Sequence, residues 1–288
     1  MMLLTFRHGD RIAIGALQGD AIVDLSPIAP DMLALIDMGP EALARVAERA
    51  MSAPDTLPLQ DVTLLSPIPT PRRNVMCLGR NYFEHARESY EARGQAVELP
   101  THPVIFTKAT TTVNGPFDDV PVDPAVSEQM DYEVELAVII GRRGKNIGRA
   151  EAMDFVFGYT VLNDITARDV QDAHKQFFKG KSLDGCCPIG PWIVTADAIP
   201  DPHALRLTCR VNDEVRQESN TSEMMFDIPS FIEILSRGMT LMPGDILATG
   251  TPAGVGFAMK PPVFLRPGDV VECSIESIGI IRNRIVLA

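Results

Sequence analysis

No apolar run in this sequence approaches the roughly 18 residues that a membrane-spanning helix needs, and its opening, Met1-Met2-Leu3-Leu4, carries no basic leader. A soluble, unprocessed, cytoplasmic protein is expected. Positive charge is in short supply: 26 Lys and Arg stand against 38 Asp and Glu, for a net charge of -12. Such a chain repels a phosphate backbone or an anionic bilayer, so nucleic acid and membrane are poor partners. The total does not exclude an anionic small molecule, because a bound divalent cation can dominate its local field. Five cysteines, Cys77, Cys186, Cys187, Cys209 and Cys273, form no C-x-x-C pair and no zinc spacing. Neighbours Cys186 and Cys187 are poorly placed to bridge, and reduced thiols are expected. Repeats and low-complexity tracts are absent. A phosphate loop is absent too, since Lys175 stands where the first glycine before Gly180-Lys181-Ser182 would have to be. Gly250 to Gly256 likewise fails the dinucleotide pattern G-x-G-x-x-G.

What is present is enough apolar material, 45% of 288 residues, to fill a sizeable core. Residues 2 to 25 read as short strands around Gly9-Asp10 and Gly19-Asp20, and 31 to 52 carries helical periodicity broken at Gly39-Pro40. Proline-rich Ser66-Pro67-Ile68-Pro69-Thr70-Pro71 favours extended backbone and reads as a linker. We therefore expect a small α+β unit over 1–70 and a larger domain over 71–288. The larger part holds many short apolar or alternating runs, among them Glu133 to Ile140, Val156 to Leu162, Trp192 to Thr195 and Val270 to Ile275. Helical patterns are fewer: Tyr82 to Ala92, Arg149 to Phe155, Thr166 to Lys175 and Pro229 to Ser236. The balance predicts a mainly β domain with peripheral helices, α+β in class.

In Asp131-Tyr132-Glu133-Val134-Glu135-Leu136, a strand puts Glu133 and Glu135 on one face with Ala137 and Ile139. Like charges that close need a compensator, and a hard cation with oxygen ligands supplies one; two glutamates facing water at a strand end are the alternative. Asp164 closes the apolar run Val161-Leu162-Asn163 just before a helical pattern. It is either a third oxygen donor or a helix cap. Three acids with no Cys or His beside them suit magnesium or manganese better than zinc. His85 and Glu88, three apart on one helix face, are either an imidazole base oriented by a carboxylate or an ordinary surface pair. Lys181 is a candidate for stabilising oxyanion charge, and the turns after Gly250 could present backbone N–H groups and the Thr251 hydroxyl to a carboxylate. His8, His102, His174 and His203 receive no catalytic role.

Taken together, Gly79-Arg80-Asn81-Tyr82 leading into His85 and Glu88, Asp131 to Leu136, Asn163-Asp164 with Ala167-Arg168-Asp169, and Gly180-Lys181-Ser182 resemble the fumarylacetoacetate hydrolase family. Pro243-Gly244-Asp245, Thr249 to Gly256, Pro267-Gly268-Asp269 and Ile278-Gly279 match its carboxyl-terminal signature in the same order. Coverage runs from about residue 72 to the end. The resemblance implies the family's mixed β-sandwich roll, often a homodimer, with Mg2+ or Mn2+ on Glu133, Glu135 and Asp164. It also implies that His85 with Glu88 activates water, that Lys181 assists at the carbonyl or carbanion, that Arg80, Gln171 and Thr251 contact a small 2-oxo acid, and that the segment after His85 is a lid. One departure bears on substrate: Asp172-Ala173-His174-Lys175 lacks the aromatic that follows the matching glutamine in eukaryotic fumarylacetoacetate hydrolases. The expected branch is therefore the acylpyruvase, fumarylpyruvate hydrolase and oxo-diacid isomerase or decarboxylase group.

The working expectation is hydrolysis of a carbon-carbon bond in a 2,4-dioxo acid, giving pyruvate and a carboxylic acid. Decarboxylation, isomerisation or tautomerisation of oxaloacetate or unsaturated 2-oxo diacids on the same residues is the alternative within enzymes. A non-catalytic metal and oxo-acid binding protein is the alternative outside them, and the presence of His85, Glu88 and Lys181 beside the three acids speaks against it.

Overall fold

In the computed structural model, which describes residues 1–52 and 56–288, the strand Val134–Ile140 sets the architecture because every residue in it is buried. Pleat alternation sends Val134, Leu136, Val138 and Ile140 into one core and Ala137 and Ile139 into a second. The strand lies between Val156–Asn163 and Ile246–Ala248 in a twelve-stranded sheet among the described residues. Beyond Ile246–Ala248 the sheet continues through Val75–Gly79, paired in parallel, to Val104–Lys108 at its edge.

The first core is closed by a five-stranded sheet of Glu214–Asn220, Arg206–Val211, Val270–Ile275, Gly279–Leu287 and Val120–Val122. Alternating Leu207, Cys209 and Val211 with Val271, Cys273 and Ile275 face the central strand's even-numbered residues. The second core is covered by the helices Met32–Asp37 and Pro40–Ser52, through Met32, Leu35, Ile36, Ala42 and Val46. The expected mainly β fold with peripheral helices is what the chain forms. All five cysteines are buried and free.

The amino-terminal strands are not set apart from the rest by their hydrogen bonding. Met2–His8 pairs with Cys187–Thr195, so Met2–His8, Arg11–Gln18 and Ala21–Asp24 extend the large sheet. The linker Ser66 to Pro71 is free of helix and strand, and backbone pairing joins the two sides of it as well.

Three elements differ from the sequence reading. The strand expected from Trp192 begins at Cys187; a register shift against Val156–Asn163 accommodates its prolines, which cannot donate to the ladder. Thr166 and Ala167 pair with Met130 and Asp131 instead of opening a helix, leaving Arg168–Ala173 helical. Arg149–Phe155 is a 3-10 helix.

Close packing then fixes the turn Phe178–Lys181 on the helix Arg168–Ala173. A Cβ on Gly180 would lie 2.5 Å from the Gln171 backbone nitrogen and 2.6 Å from its Cα. Gly180→Ala is therefore expected to cost about 1–3 kcal/mol, read as a fall of several degrees in Tm by scanning calorimetry; an unchanged Tm would show that the turn is free to move away.

Candidate metal centre

Three carboxylates converge where two central strands meet. Glu133 immediately precedes Val134–Ile140 and Glu135 lies within it, so the pleat turns both the same way. Asp164 directly follows Val156–Asn163, whose antiparallel register sets Asn163 opposite Val134. The Asp164 N–H donates to the Glu133 carbonyl at 2.9 Å. One oxygen from each of the three side chains lies within 4.8 Å of the others, and all three residues are buried. Neither alternative for these acids holds. The glutamates do not face water, and Ala167, not Asp164, occupies the N-cap of the next helix.

Buried cations surround the trio. Lys181 Nζ donates to Glu133 Oε2 and Asp164 Oδ2, both at 2.7 Å. Lys108 Nζ donates to the other Asp164 oxygen at 2.7 Å and to the Ile165 carbonyl at 3.1 Å. Arg168 donates from Nη2 to Glu133 at 2.6 Å and from Nε to Asp131 at 2.9 Å. Four buried carboxylates thus meet three buried cations. Among the described residues no cation hydrogen-bonds Glu135; its Oε2 accepts the Gly250 N–H at 2.7 Å. Gly250 adopts φ +93°, and a Cβ there would meet Asn81 and the Leu78 carbonyl at 2.8 Å, so only glycine presents its N–H this closely.

The surroundings split the two glutamates. Burial pushes Glu133 up, but Lys181 and Arg168 outweigh it and hold the carboxyl well below its ordinary range. Burial, Asp164 and Glu133 all push Glu135 well above that range. For Lys181, burial favours the neutral amine, yet Asp164 and Glu133 overcome it and keep the ammonium charged beyond its usual pKa. A donor set of carboxylate oxygens alone, with one member left without a counter-charge, fits a hard divalent cation.

The expected His85 and Glu88 pair forms on the helix Phe83–Ala92, Nδ1 to Oε1 at 3.0 Å. Both Glu88 oxygens accept the Gly254 N–H, at 3.1 and 3.0 Å. As an acceptor, the Glu88 carboxylate favours the Nδ1–H tautomer of a neutral imidazole, in which Nε2 carries the lone pair. His85 lines a cleft together with Glu133, Glu135, Lys181, Arg80, Gln171 and Thr251. Asp164 and Glu88 stand behind that lining, reached through Lys181 and His85.

The three residues expected to touch substrate have partners of their own. Arg80, at φ +55°, lays its guanidinium 4.5 Å over the Tyr90 ring and donates to its hydroxyl at 2.9 Å. Gln171 Oε1 accepts from Arg168 at 3.2 Å, and the Thr251 hydroxyl accepts from Gln217 at 2.8 Å. The glycine-rich loop does offer N–H groups to carboxylates, but they are the protein's own: Gly250 serves Glu135, Gly254 serves Glu88, and Gly256 and Phe257 serve Asp131.

Sequence reasoning gave no role to Lys108, Arg168, Asp131 or Gln217. Lys108 ends a strand in same-face register with Phe106, a signal for a cation turned toward the cleft. Asp131 and Arg168 were visible only as parts of motifs. Gln217 sits in a polar strand and carried no signal.

A raised carboxyl pKa removes stability as pH climbs above the unfolded value, near 4.5 for Glu135, because the unfolded chain loses its proton first. Gln keeps an oxygen for the Gly250 N–H and carries no charge. Glu135→Gln is expected to stabilise the metal-free protein at neutral pH by on the order of 1 kcal/mol, with the gain vanishing below the unfolded value, and to weaken Mn2+ binding about tenfold or more. Melts in EDTA at acidic and neutral pH, with a calorimetric Mn2+ titration, check both signs.

Residues 74–286 match the family model described as fumarylacetoacetate (FAA) hydrolase C-terminal. The chain is 51% identical over 227 residues to oxaloacetate tautomerase YisK of Bacillus subtilis, covering 79% of this chain and 74% of that protein. It is 42% identical to the fumarylacetoacetate hydrolase of Exiguobacterium antarcticum, with a TM-score of 0.88 and full coverage of both chains. A maleylpyruvate hydrolase from Sphingobium, solved with manganese(II) and pyruvate, is 33% identical with a TM-score of 0.81, again over both whole chains. With the family model spanning residues 74–286 and these relatives sharing 33–51% identity, the chain belongs to the fumarylacetoacetate hydrolase family.

Proposed function

We propose that this chain is a Mg2+- or Mn2+-dependent tautomerase that interconverts the keto and enol forms of oxaloacetate or a closely related 2-oxo diacid. The observation that carries the reading is the pairing, in one cleft, of a single free imidazole nitrogen with a lysine held fully charged. The 51% identity to a protein named oxaloacetate tautomerase supports it. A divalent cation on Glu133, Glu135 and Asp164 would supply Lewis-acid polarisation of the 2-oxo group and so acidify the hydrogens at C3.

His85 Nε2 takes the C3 proton; the C–H electron pair becomes the C2–C3 double bond and the carbonyl pair moves onto the 2-oxygen. Lys181 cannot be that base, because Asp164 and Glu133 keep it protonated. An ammonium has three N–H donors, and Lys181 uses two on Glu133 and Asp164. The third is available to the 2-oxygen as charge develops there, and the proton held on His85 completes the enol. Arg80, Gln171 and Thr251 would orient the substrate. Assembly as a homodimer and a cytoplasmic location are proposed with this reading.

Carbon-carbon hydrolysis of an acylpyruvate is the second reading, supported by the maleylpyruvate hydrolase relative and by the same His85 and Glu88 pair acting on water. Products separate the two. With EDTA-treated protein, oxaloacetate enol should lose its ultraviolet absorbance faster only when Mg2+ or Mn2+ is restored, with no pyruvate or carbon dioxide formed. Metal-dependent pyruvate plus a second acid from an acylpyruvate panel would replace tautomerisation by hydrolysis, and no metal-dependent turnover would remove both. His85→Ala should lower kcat by about 10²- to 10⁴-fold while Mn2+ affinity stays nearly unchanged; loss of both together would refute the assignment of His85 as the base.

A further inference from the structure

The buried cations of the site are committed to the protein's own carboxylates: Lys108 to Asp164, Lys181 to Glu133 and Asp164, Arg168 to Glu133 and Asp131. A 2-oxo diacid brings two negative ends, and its second carboxylate needs a cation that is not already held in this way. Arg93, which caps the helix Phe83–Ala92 at its carboxyl end, lines the same cleft. Its guanidinium carbon lies 4.5 Å from the Phe257 ring centroid, and that of Arg168 lies 4.4 Å from the same centroid. Through Arg168 this ring connects directly to Glu133.

Arg93 already holds a carboxylate, and that carboxylate is replaceable. It donates from Nη2 and Nε to Asp172 Oδ1 at 2.9 and 3.3 Å, and from Nη1 to the Ser89 carbonyl at 3.2 Å. Asp172 is 55% exposed while Arg93 is only 21% exposed. Losing Arg93 therefore returns Asp172 to water, whereas Arg93 stays shelved on its aromatic ring. Two guanidinium N–H groups remain without a partner among the described residues. Arg80, which also lines the cleft, is turned onto the Tyr90 ring and hydroxyl.

We infer that Arg93 reads the distal carboxylate of a 2-oxo diacid, and that Asp172 occupies this position as an internal stand-in which the substrate displaces. The inference rests on the oxo-diacid reading of the site and names the residue that makes the site select a diacid over a monoacid. Removing Arg93 then weakens diacids selectively. Removing the Asp172 charge strengthens them, because the substrate no longer competes for the guanidinium.

The test compares wild type, Arg93→Gln and Asp172→Asn, all Mn2+-loaded, for KM on oxaloacetate and for inhibition by pyruvate, which has the same 2-oxo acid end and no second carboxylate. Arg93→Gln should raise the oxaloacetate KM roughly 10- to 100-fold and leave the pyruvate inhibition constant within about twofold. Asp172→Asn should lower that KM by about two- to fivefold. Equal weakening of both ligands by Arg93→Gln, no effect on either, or a raised KM in Asp172→Asn would each overturn the inference. Calorimetric binding of the same two ligands separates the two failures. Wild-type protein that prefers the diacid and loses the preference in Arg93→Gln retains the arginine's role even where oxaloacetate is not tautomerised; absence of that preference in wild type removes it.

Discussion

The double hydrogen bond from Lys181 to Glu133 and Asp164 is the interaction on which the rest of the site depends. Three carboxylates brought within 4.8 Å inside a protein repel one another strongly, and without a bridging cation the strands that carry them would be driven apart. Lys108 and Arg168 continue the arrangement outward, each taking a carboxylate oxygen that Lys181 leaves free. Glu135 is the exception: burial, Asp164 and Glu133 all act against its charge, and its hydrogen bond comes from the Gly250 N–H.

Sheet geometry makes this possible with little local strain. Glu133 and Glu135 sit on the pleat face that leads into the Ala137 and Ile139 core, while the other face of the same strand is sealed by the five-stranded sheet. Register with Val156–Asn163 then delivers Asp164 beside Glu133. The short pairing of Met130–Asp131 with Thr166–Ala167 places Arg168 within reach of Asp131 and Glu133 at once. The loop after Ile246–Ala248 contributes backbone N–H groups to three different carboxylates. The carboxylates sit in or directly beside strands, and glycines supply most of the backbone donors that hold them.

Much of this was legible in the sequence where the signal is local. Period-two alternation around Glu133 and Glu135, an acid closing the Val161-Leu162-Asn163 run, and the three-residue spacing of His85 and Glu88 each depend on a single element, and the structure keeps all three relationships. What stayed hidden depends on pairings distant in sequence. Lys108 and Asp164 are 56 residues apart, and Gln217 reaches the Val134 N–H across 83. The start of the strand at Cys187 was hidden for a different reason: prolines suppress the local strand pattern, and the register shifts where Gly190 to Val194 of this strand oppose only Tyr159 to Val161 of its partner. Continuity of the amino-terminal strands with the large sheet likewise depends on Met2 and Leu3 meeting Val194 and Ile193.

The contrast between the interior and the rim explains how one family scaffold can host tautomerases and hydrolases. The buried carboxylates and cations are so mutually dependent that altering one leaves another charge stranded, which makes this part of the site resistant to change. Residues at the mouth answer to no such constraint. Arg93, Asp172 and Arg80 are partly exposed or paired with exposed groups, and replacing any of them leaves the core ion pairs intact. On the proposed reading, acidifying a carbon next to a 2-oxo group would fall to the interior, whereas the choice of what is attached to that carbon would fall to the rim. A difference in substrate between two relatives should accordingly be sought in the segment after His85 and on the exposed side of the helix Arg168–Ala173, before it is sought among the carboxylates.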